Sequence, residues 1–502
     1  MSKLYQIDKK SVLVKVWSFL RSGQARIFVI TCGYYASLFF STSNRTLLLL
    51  SCIYLLVLYW FTKNIKLSLF LAFVATLPFA KGKGYQIFLM AKEDVELRQL
   101  YDLVYYFPLY LSGVFLPLLG YLHLKSKITK ANILKLPPGL LPVIGVFSVF
   151  IAASQIASLY SDFPLVIILS GIQLIILLFI LVLPSLLQIR KNLLSTATIS
   201  VLCATLLFQS SWAILQQING APLGKDIEVS LPNGAYGIVA TEDASFLRST
   251  GTFFEPSILG TFLLMASVMM LAAGLGRKKE QLPRYLLLFS AVLGFSAIIL
   301  TGSRMLYILS TIVLLLLLRS HIAKNAEIFV QFLQRNSWKM AIIGISFFVL
   351  LSPTIIKRFH SFGEVFSQYG SATYRVQLAK AAVAITKDHP FGRGLNLSHY
   401  YFAQNFTQDD YIFDPAYPHN IFFQVLAETG PIGLTLFLLF VYLLVRRISF
   451  KNALRSKFYL GSVCFLLAAQ FYPIFLSHSE ILTYFFLFSG LSMYLEENST
   501  HD

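Results

Sequence analysis

Four residues of this chain have the type and setting to carry chemistry: His419, Arg248, Arg304 and Arg375. His419 stands in Pro418-His419-Asn420, where a long polar loop runs into an apolar segment. An imidazole has an ordinary pKa of about 6.5, so near neutrality it can take a proton from a hydroxyl. Guanidiniums stay charged and grip phosphate oxygens two at a time. Arg248 lies in Leu247-Arg248-Ser249-Thr250-Gly251-Thr252-Phe253-Phe254-Glu255-Pro256-Ser257, Arg304 in Leu300-Thr301-Gly302-Ser303-Arg304, and Arg375 in Ala372-Thr373-Tyr374-Arg375. Each has a plainer alternative. An arginine at a helix end can snorkel into headgroups, a loop arginine can pair with a neighbour such as Glu255 or Asp243, and a histidine can simply open a helix.

Below His419 the types stay polar. Gln424 and Glu428 follow Asn420 at four-residue steps, which places all three on one helical face. An acid at mid-depth in a membrane helix costs about 2.5–3.5 kcal/mol, so the stripe points to a protein-lined cavity or to helix packing, not to lipid. Glu428 would sit roughly 13 Å down the helix, too deep for a headgroup phosphate. Gly430-Pro431 should kink the helix there and could widen such a cavity.

The elements that must position these groups are membrane helices. The chain has 502 residues, of which 56% are hydrophobic and 13% charged. Apolar runs of about 17–25 residues recur, each able to cross roughly 30 Å of hydrocarbon. About fourteen are expected, beginning near Arg26, Arg45, Ile65, Asp102, Gly139, Phe163, Ser195, Ser257, Tyr285, Met305, Met340, Asn420, Phe458 and Ile481. The runs are continuous and not alternating, so the expectation is an all-α, polytopic integral membrane protein and not an outer-membrane barrel.

The net charge of +18 does not argue for nucleic acid, because of how it is distributed. With the N-terminus in the cytoplasm and sides alternating, about 27 of the 41 Lys+Arg fall inside, as the positive-inside rule requires. Cys32, Cys52, Cys203 and Cys464 lie in apolar runs and read as small buried hydrophobes. The expected layout is a cytoplasmic segment 1–25, without a cleavable signal peptide; helices over 26–356 with an outer loop 217–256; a large outer loop 357–418; helices over 419–495; and a cytoplasmic tail 496–502. The large loop is rich in aromatics, which argues against disorder. Tyr374 to Lys387 reads as an amphipathic helix, with Val376, Ala379, Val383 and Ile385 among its apolar residues, and His389-Pro390 stops it. By this alternation Arg248, Arg304, Arg375 and His419 all face outward, as does the acidic pair Asp409-Asp410, which reads as a solvated loop pair; no metal-ligand spacing is visible there. A diphosphate donor, a sugar hydroxyl and one base amount to a glycosyl transfer.

At these residues the chain resembles the O-antigen polymerase and O-antigen ligase superfamily of bacterial inner membranes. The resemblance rests on Arg248-Ser249-Thr250-Gly251-Thr252-Phe253-Phe254-Glu255-Pro256, on Thr301-Gly302-Ser303-Arg304, and on Arg375 with His389-Pro390-Phe391-Gly392-Arg393-Gly394. It ends with Pro418-His419-Asn420 and Glu428-Thr429-Gly430-Pro431-Ile432-Gly433. It implies a fold like the GT-C membrane glycosyltransferases and a metal-independent, inverting transfer without cofactor. Undecaprenyl diphosphate would be the leaving group. Arg248 and Arg304 would hold the pyrophosphate, Arg375 would contact donor or glycan, and His419 would activate the acceptor, with Glu255, Asn420, Gln424 and Glu428 in support. The implied partners are an undecaprenyl-diphosphate-linked oligosaccharide, the bilayer and a chain-length regulator, with no nucleic acid. The Phe254-Glu255-Pro256 element resembles polymerases that build O-antigen, capsule or exopolysaccharide. A ligase acting on lipid A core is the near alternative, and a flippase making no bond is the distant one.

Overall fold

The computed structural model of the chain describes residues 22–41, 43–79, 111–125, 136–137, 139–225, 227–228, 238–240, 245–253, 255–276, 282–317, 319, 371–398, 401–402, 418–446, 456–472, 476 and 479–496. The segment 1–21, Asp243, Phe254, the run expected near Met340, Asp409-Asp410, and loop residues 357–370, 399–400 and 403–417 lie outside the described residues. Each other expected run coincides with a helix, the one from near Asp102 being described from Leu111 onward.

In chain order the helices are α1 (Gly23–Leu38), α2 (Asn44–Thr62), α3 (Ile65–Thr76), α4 (Leu111–Lys125), α5 (Leu140–Ser154), α6 (Pro164–Leu187) and α7 (Lys191–Asn219). They continue with α8 (Pro256–Leu275), α9 (Arg284–Leu300), α10 (Arg304–Leu317), α11 (Ser371–Asp388), α12 (Ile421–Val445), α13 (Lys457–Ala468) and α14 (Ser479–Glu496). By length and composition α2, α5 with its 3-10 continuation to Leu159, α6, α7, α8 and α12 can cross a membrane, and six further apolar helices are shorter. Several starts follow from local chemistry. Ser43 and Thr46 form a reciprocal capping box on α2, and Asn64 caps α3. Prolines open α6 and α8, where the missing N–H is not needed.

α8 is the central helix. Nearly all of it is buried, against α7, α9 and α13. α2 lies at the edge and turns Leu49, Leu56 and Trp60 outward, an apolar face suited to lipid. α6 and α14 pack so closely that a Cβ on Gly490 would stand 2.1 Å from the Leu181 carbonyl oxygen. Small residues permit such backbone approach where lipid supplies no hydrophobic drive.

The described chain is not wholly helical. The loop between α7 and α8 holds a short antiparallel hairpin, β1 (Ile238–Ala240) with β2 (Ser245–Leu247), in the register Ile238 to Leu247. Ile, Val and Phe favour strands once a chain leaves the helix bundle. Cys52 also departs from expectation: it is exposed on α2, whereas Cys203 and Cys464 are buried.

Candidate active site

Three polar side chains on α7 and its following turn build the bed for Arg248. Gln209 and Gln216 lie two turns apart and face the loop. Gln216 Oε1 accepts from the backbone N–H groups of Thr250 (3.1 Å) and Gly251 (2.9 Å), and its amide nitrogen donates to the Gly251 carbonyl (3.0 Å). Gln209 accepts from Thr252 N–H and donates to the Thr252 hydroxyl. Buried Glu228 accepts from Gln216 and from the Trp212 indole at 2.7 and 2.9 Å. A buried loop needs every backbone group paired, and these side chains pair it.

The loop then carries Arg248 to the next junction. Its Nε donates to the Thr301 carbonyl at 2.9 Å, while Ser249 N–H bonds the Leu300 carbonyl. This fixes Arg248 beside the turn that leads into Arg304. Glu255, at the N-cap of α8, acts on Arg248 electrostatically and accepts a hydrogen bond from Ser257. Burial pulls Arg248 below the ordinary arginine value, and Tyr472, Glu255 and Tyr307 oppose that shift.

A second junction joins the N-terminus of α12 to the turn after α13. Asn420 is the N-cap of α12, with its side-chain oxygen accepting from Phe422 and Phe423 N–H. It is therefore not on the helical stripe expected with Gln424, because capping the orphan amides demands an extended backbone at that position. Its amide nitrogen donates to the Gln470 carbonyl and side chain, and Ile421 N–H bonds the Ala469 carbonyl. Two residues beyond Gln470, Tyr472 is buried and hydrogen-bonded to Ser303, next to Arg304. The Arg248 and Arg375 guanidiniums both act on the Tyr472 hydroxyl. Tyr374, beside Arg375, meets the His419 ring edge-on at 6.3 Å. The four expected residues thus come from four separate segments to one end of the bundle, the end where α8, α10 and α12 begin. Helix N-termini carry positive potential.

Gln424 and Glu428 have another task. Glu428 accepts from Asn396 N–H (2.9 Å), the Ser398 hydroxyl (2.7 Å) and Gln424 (3.1 Å). Pro431 cannot donate to the Ala427 carbonyl, and Gly430 departs from helical geometry with φ +68°. The chain after α11 enters this break: Arg393 N–H bonds the freed Ala427 carbonyl and Gly394 N–H the Glu428 carbonyl. A Cβ on Gly430 would lie 2.0 Å from the Pro390 carbonyl oxygen. The expected kink is present, but the turn fills it, so it does not widen a cavity. The buried carboxylate holds the large loop onto α12.

The loop helix expected over Tyr374–Lys387 spans Ser371–Asp388. Its inward face is Leu378, Ala382 and Ile385, whereas Val376 and Val383 are exposed. Leu378, Ala382 and Ile385 pack with Phe163, Ile167, Tyr401 and Phe402.

Sequence reasoning missed Tyr472, Gln209, Gln216 and Glu228. A tyrosine before a proline at a helix end looks like an interfacial anchor, and glutamines in an apolar run look like packing residues. Only their loop partners, tens of residues away, show otherwise.

No curated protein matches the chain. Residues 289–438 match the O-antigen ligase family. That stretch contains Arg304, Arg375, His419 and the Glu428–Gly430 break, while Arg248 and Tyr472 lie on either side of it. Over this site-bearing segment the chain is similar to the O-antigen ligase family, which supports the O-antigen polymerase and ligase superfamily.

Proposed function

We propose that this chain is a multi-pass glycosyltransferase of the bacterial cytoplasmic membrane that polymerises undecaprenyl-diphosphate-linked oligosaccharide repeats at the outer face. The superfamily transfers glycans from lipid-linked carriers. One observation carries the reading: half-buried Arg248 and Arg375, from different outer segments, both act on the same point beside His419's helix. Burial weakens the hold of Arg375 on its proton, as it does for Arg248, so a bound anion would stabilise both charges.

In this proposal His419 takes the proton of an acceptor hydroxyl, and the hydroxyl oxygen attacks the anomeric carbon of the donor. The carbon–oxygen bond to the diphosphate breaks as the new glycosidic bond forms, with inversion. The electron pair leaves with the diphosphate, and Arg248, Arg304 and Arg375 hold its charge. Charge-assisted hydrogen bonds of about 1.5–3 kcal/mol each are of the size this needs. Glu255, Asn420, Gln424 and Glu428 position the groups without touching the reacting atoms, and no metal or cofactor is required. A chain-length regulator would act on the product length.

The ligase reading has one observation in its favour, the description of the matched family. Deleting the gene and sizing the glycans separates the two. Single repeats on the surface mean polymerase, and long chains left on the lipid carrier mean ligase; repeats trapped inside the cell mean a flippase and refute the enzyme. Within the enzyme reading, His419→Ala should abolish chain growth while the protein still inserts at normal levels, a loss of about 10²–10⁴ in rate. Normal long chains from that variant would remove His419 from the chemistry.

A further inference from the structure

We propose that Tyr472 is a further ligand-contacting residue of this site, its phenol hydroxyl donating to the diphosphate that Arg248 and Arg375 grip. This rests on the function proposed above. Tyr472 lies outside the stretch that matches the O-antigen ligase family, and its side chain is only 5% exposed. It stands at the start of α10, hydrogen-bonded to Ser303, two residues from the Thr301 carbonyl that accepts from Arg248 Nε. A phenol oxygen has one proton to donate and two lone pairs to accept with. Either hydroxyl of the Ser303–Tyr472 pair can donate to the other; with Ser303 as the donor, the phenol proton is left to point elsewhere. What it meets is positive potential from the α10 N-terminus and two guanidiniums. An oxygen in such a field is served by an anion that accepts its proton. Burial raises Tyr472 above the ordinary phenol value, so it stays protonated and able to donate.

The alternative is a structural tyrosine that merely ties the turn after α13 to α10 through Ser303. Two variants tell these apart. Tyr472→Phe removes the hydroxyl and keeps the ring. Ser303→Ala breaks the same bond and keeps the phenol proton. The measurement is binding of a labelled isoprenyl diphosphate, with the monophosphate as comparison, to purified protein in lipid nanodiscs, alongside its melting temperature. Tyr472→Phe should weaken diphosphate binding roughly tenfold with unchanged melting. Ser303→Ala should lose clearly less. Equal losses in the two variants, or a loss in Tyr472→Phe that tracks a fall in melting temperature, overturn the proposal. Wild-type binding in Tyr472→Phe beside lost binding in Arg248→Ala also overturns it and leaves the diphosphate site standing. A wild-type protein that does not distinguish diphosphate from monophosphate overturns both.

Discussion

At the scale of single residues, the proposed site would work by converging guanidiniums whose geometry, not only charge, would be used. Arg248 already donates its Nε to Thr301, which leaves the outer edge of the guanidinium for a ligand. Arg304 is half-buried at the start of α10, in a turn expected on the side where orientation bias disfavours a cation. If it grips a diphosphate through two parallel bonds, lysine cannot replace it. Arg304→Lys should therefore cut chain growth by at least about tenfold, equivalent to one charge-assisted bond, with normal insertion. Wild-type glycan length in that variant would assign Arg304 to topology alone. The residue types were legible in the sequence because histidine and arginine are costly at helix ends facing outward. Their meeting was not, since it depends on contacts such as Asn420 with Gln470 that no local pattern encodes.

At the scale of elements, the device that unites the loop with the bundle is the break in α12. Gly430-Pro431 announced a kink, because proline removes a donor and glycine admits positive φ. What occupies the kink was not legible, since the partner turn lies more than thirty residues earlier and shows only a proline and two glycines. Gly392 (φ +76°) lies against this break, where an added Cβ would meet the Glu428 carbonyl at 2.4 Å. That neighbour is backbone and cannot swing away, and the left-handed conformation adds about 1–2 kcal/mol for any L side chain. Gly392→Ala should thus loosen the turn from α12 and release α11, which carries Arg375. Trypsin should then cut at Lys380, Lys387 or Arg393 roughly tenfold faster than in the parent, with reduced chain growth. Unchanged cleavage would mean that α11 is held by its apolar face alone. Which of its apolar residues face inward was not legible from sequence: Val376 and Val383 are apolar yet exposed, and Leu378 and Ala382 are buried. An amphipathic pattern of short residues fixes that a helix forms better than which side it buries.

At the scale of the whole molecule, the helical class was the most legible feature and helix arrangement the least. In water an apolar stripe reveals the inner face; in lipid, tails and protein interior are alike to a leucine, so the sequence does not mark α8 as central and α2 as peripheral. Side, however, is written in charge. The hydrogen bonds from α7, α9 and α13 to the segments carrying Arg248, Arg304 and His419 put them at one end of the bundle, and the positive-inside distribution is the ground for proposing that this end faces outward. α7 is the measure of this, because its 29 residues run roughly 44 Å at 1.5 Å each. Asn219 ends it beside the site and Arg190 caps the opposite end, both exposed. In a background with Cys32, Cys52, Cys203 and Cys464 replaced, Asn219→Cys should react with a membrane-impermeant maleimide on intact spheroplasts. Arg190→Cys should react only after permeabilisation. The reverse pattern would put the guanidiniums in the cytoplasm, away from an outward-facing lipid-linked donor, and the proposed polymerisation would have no substrate at that site.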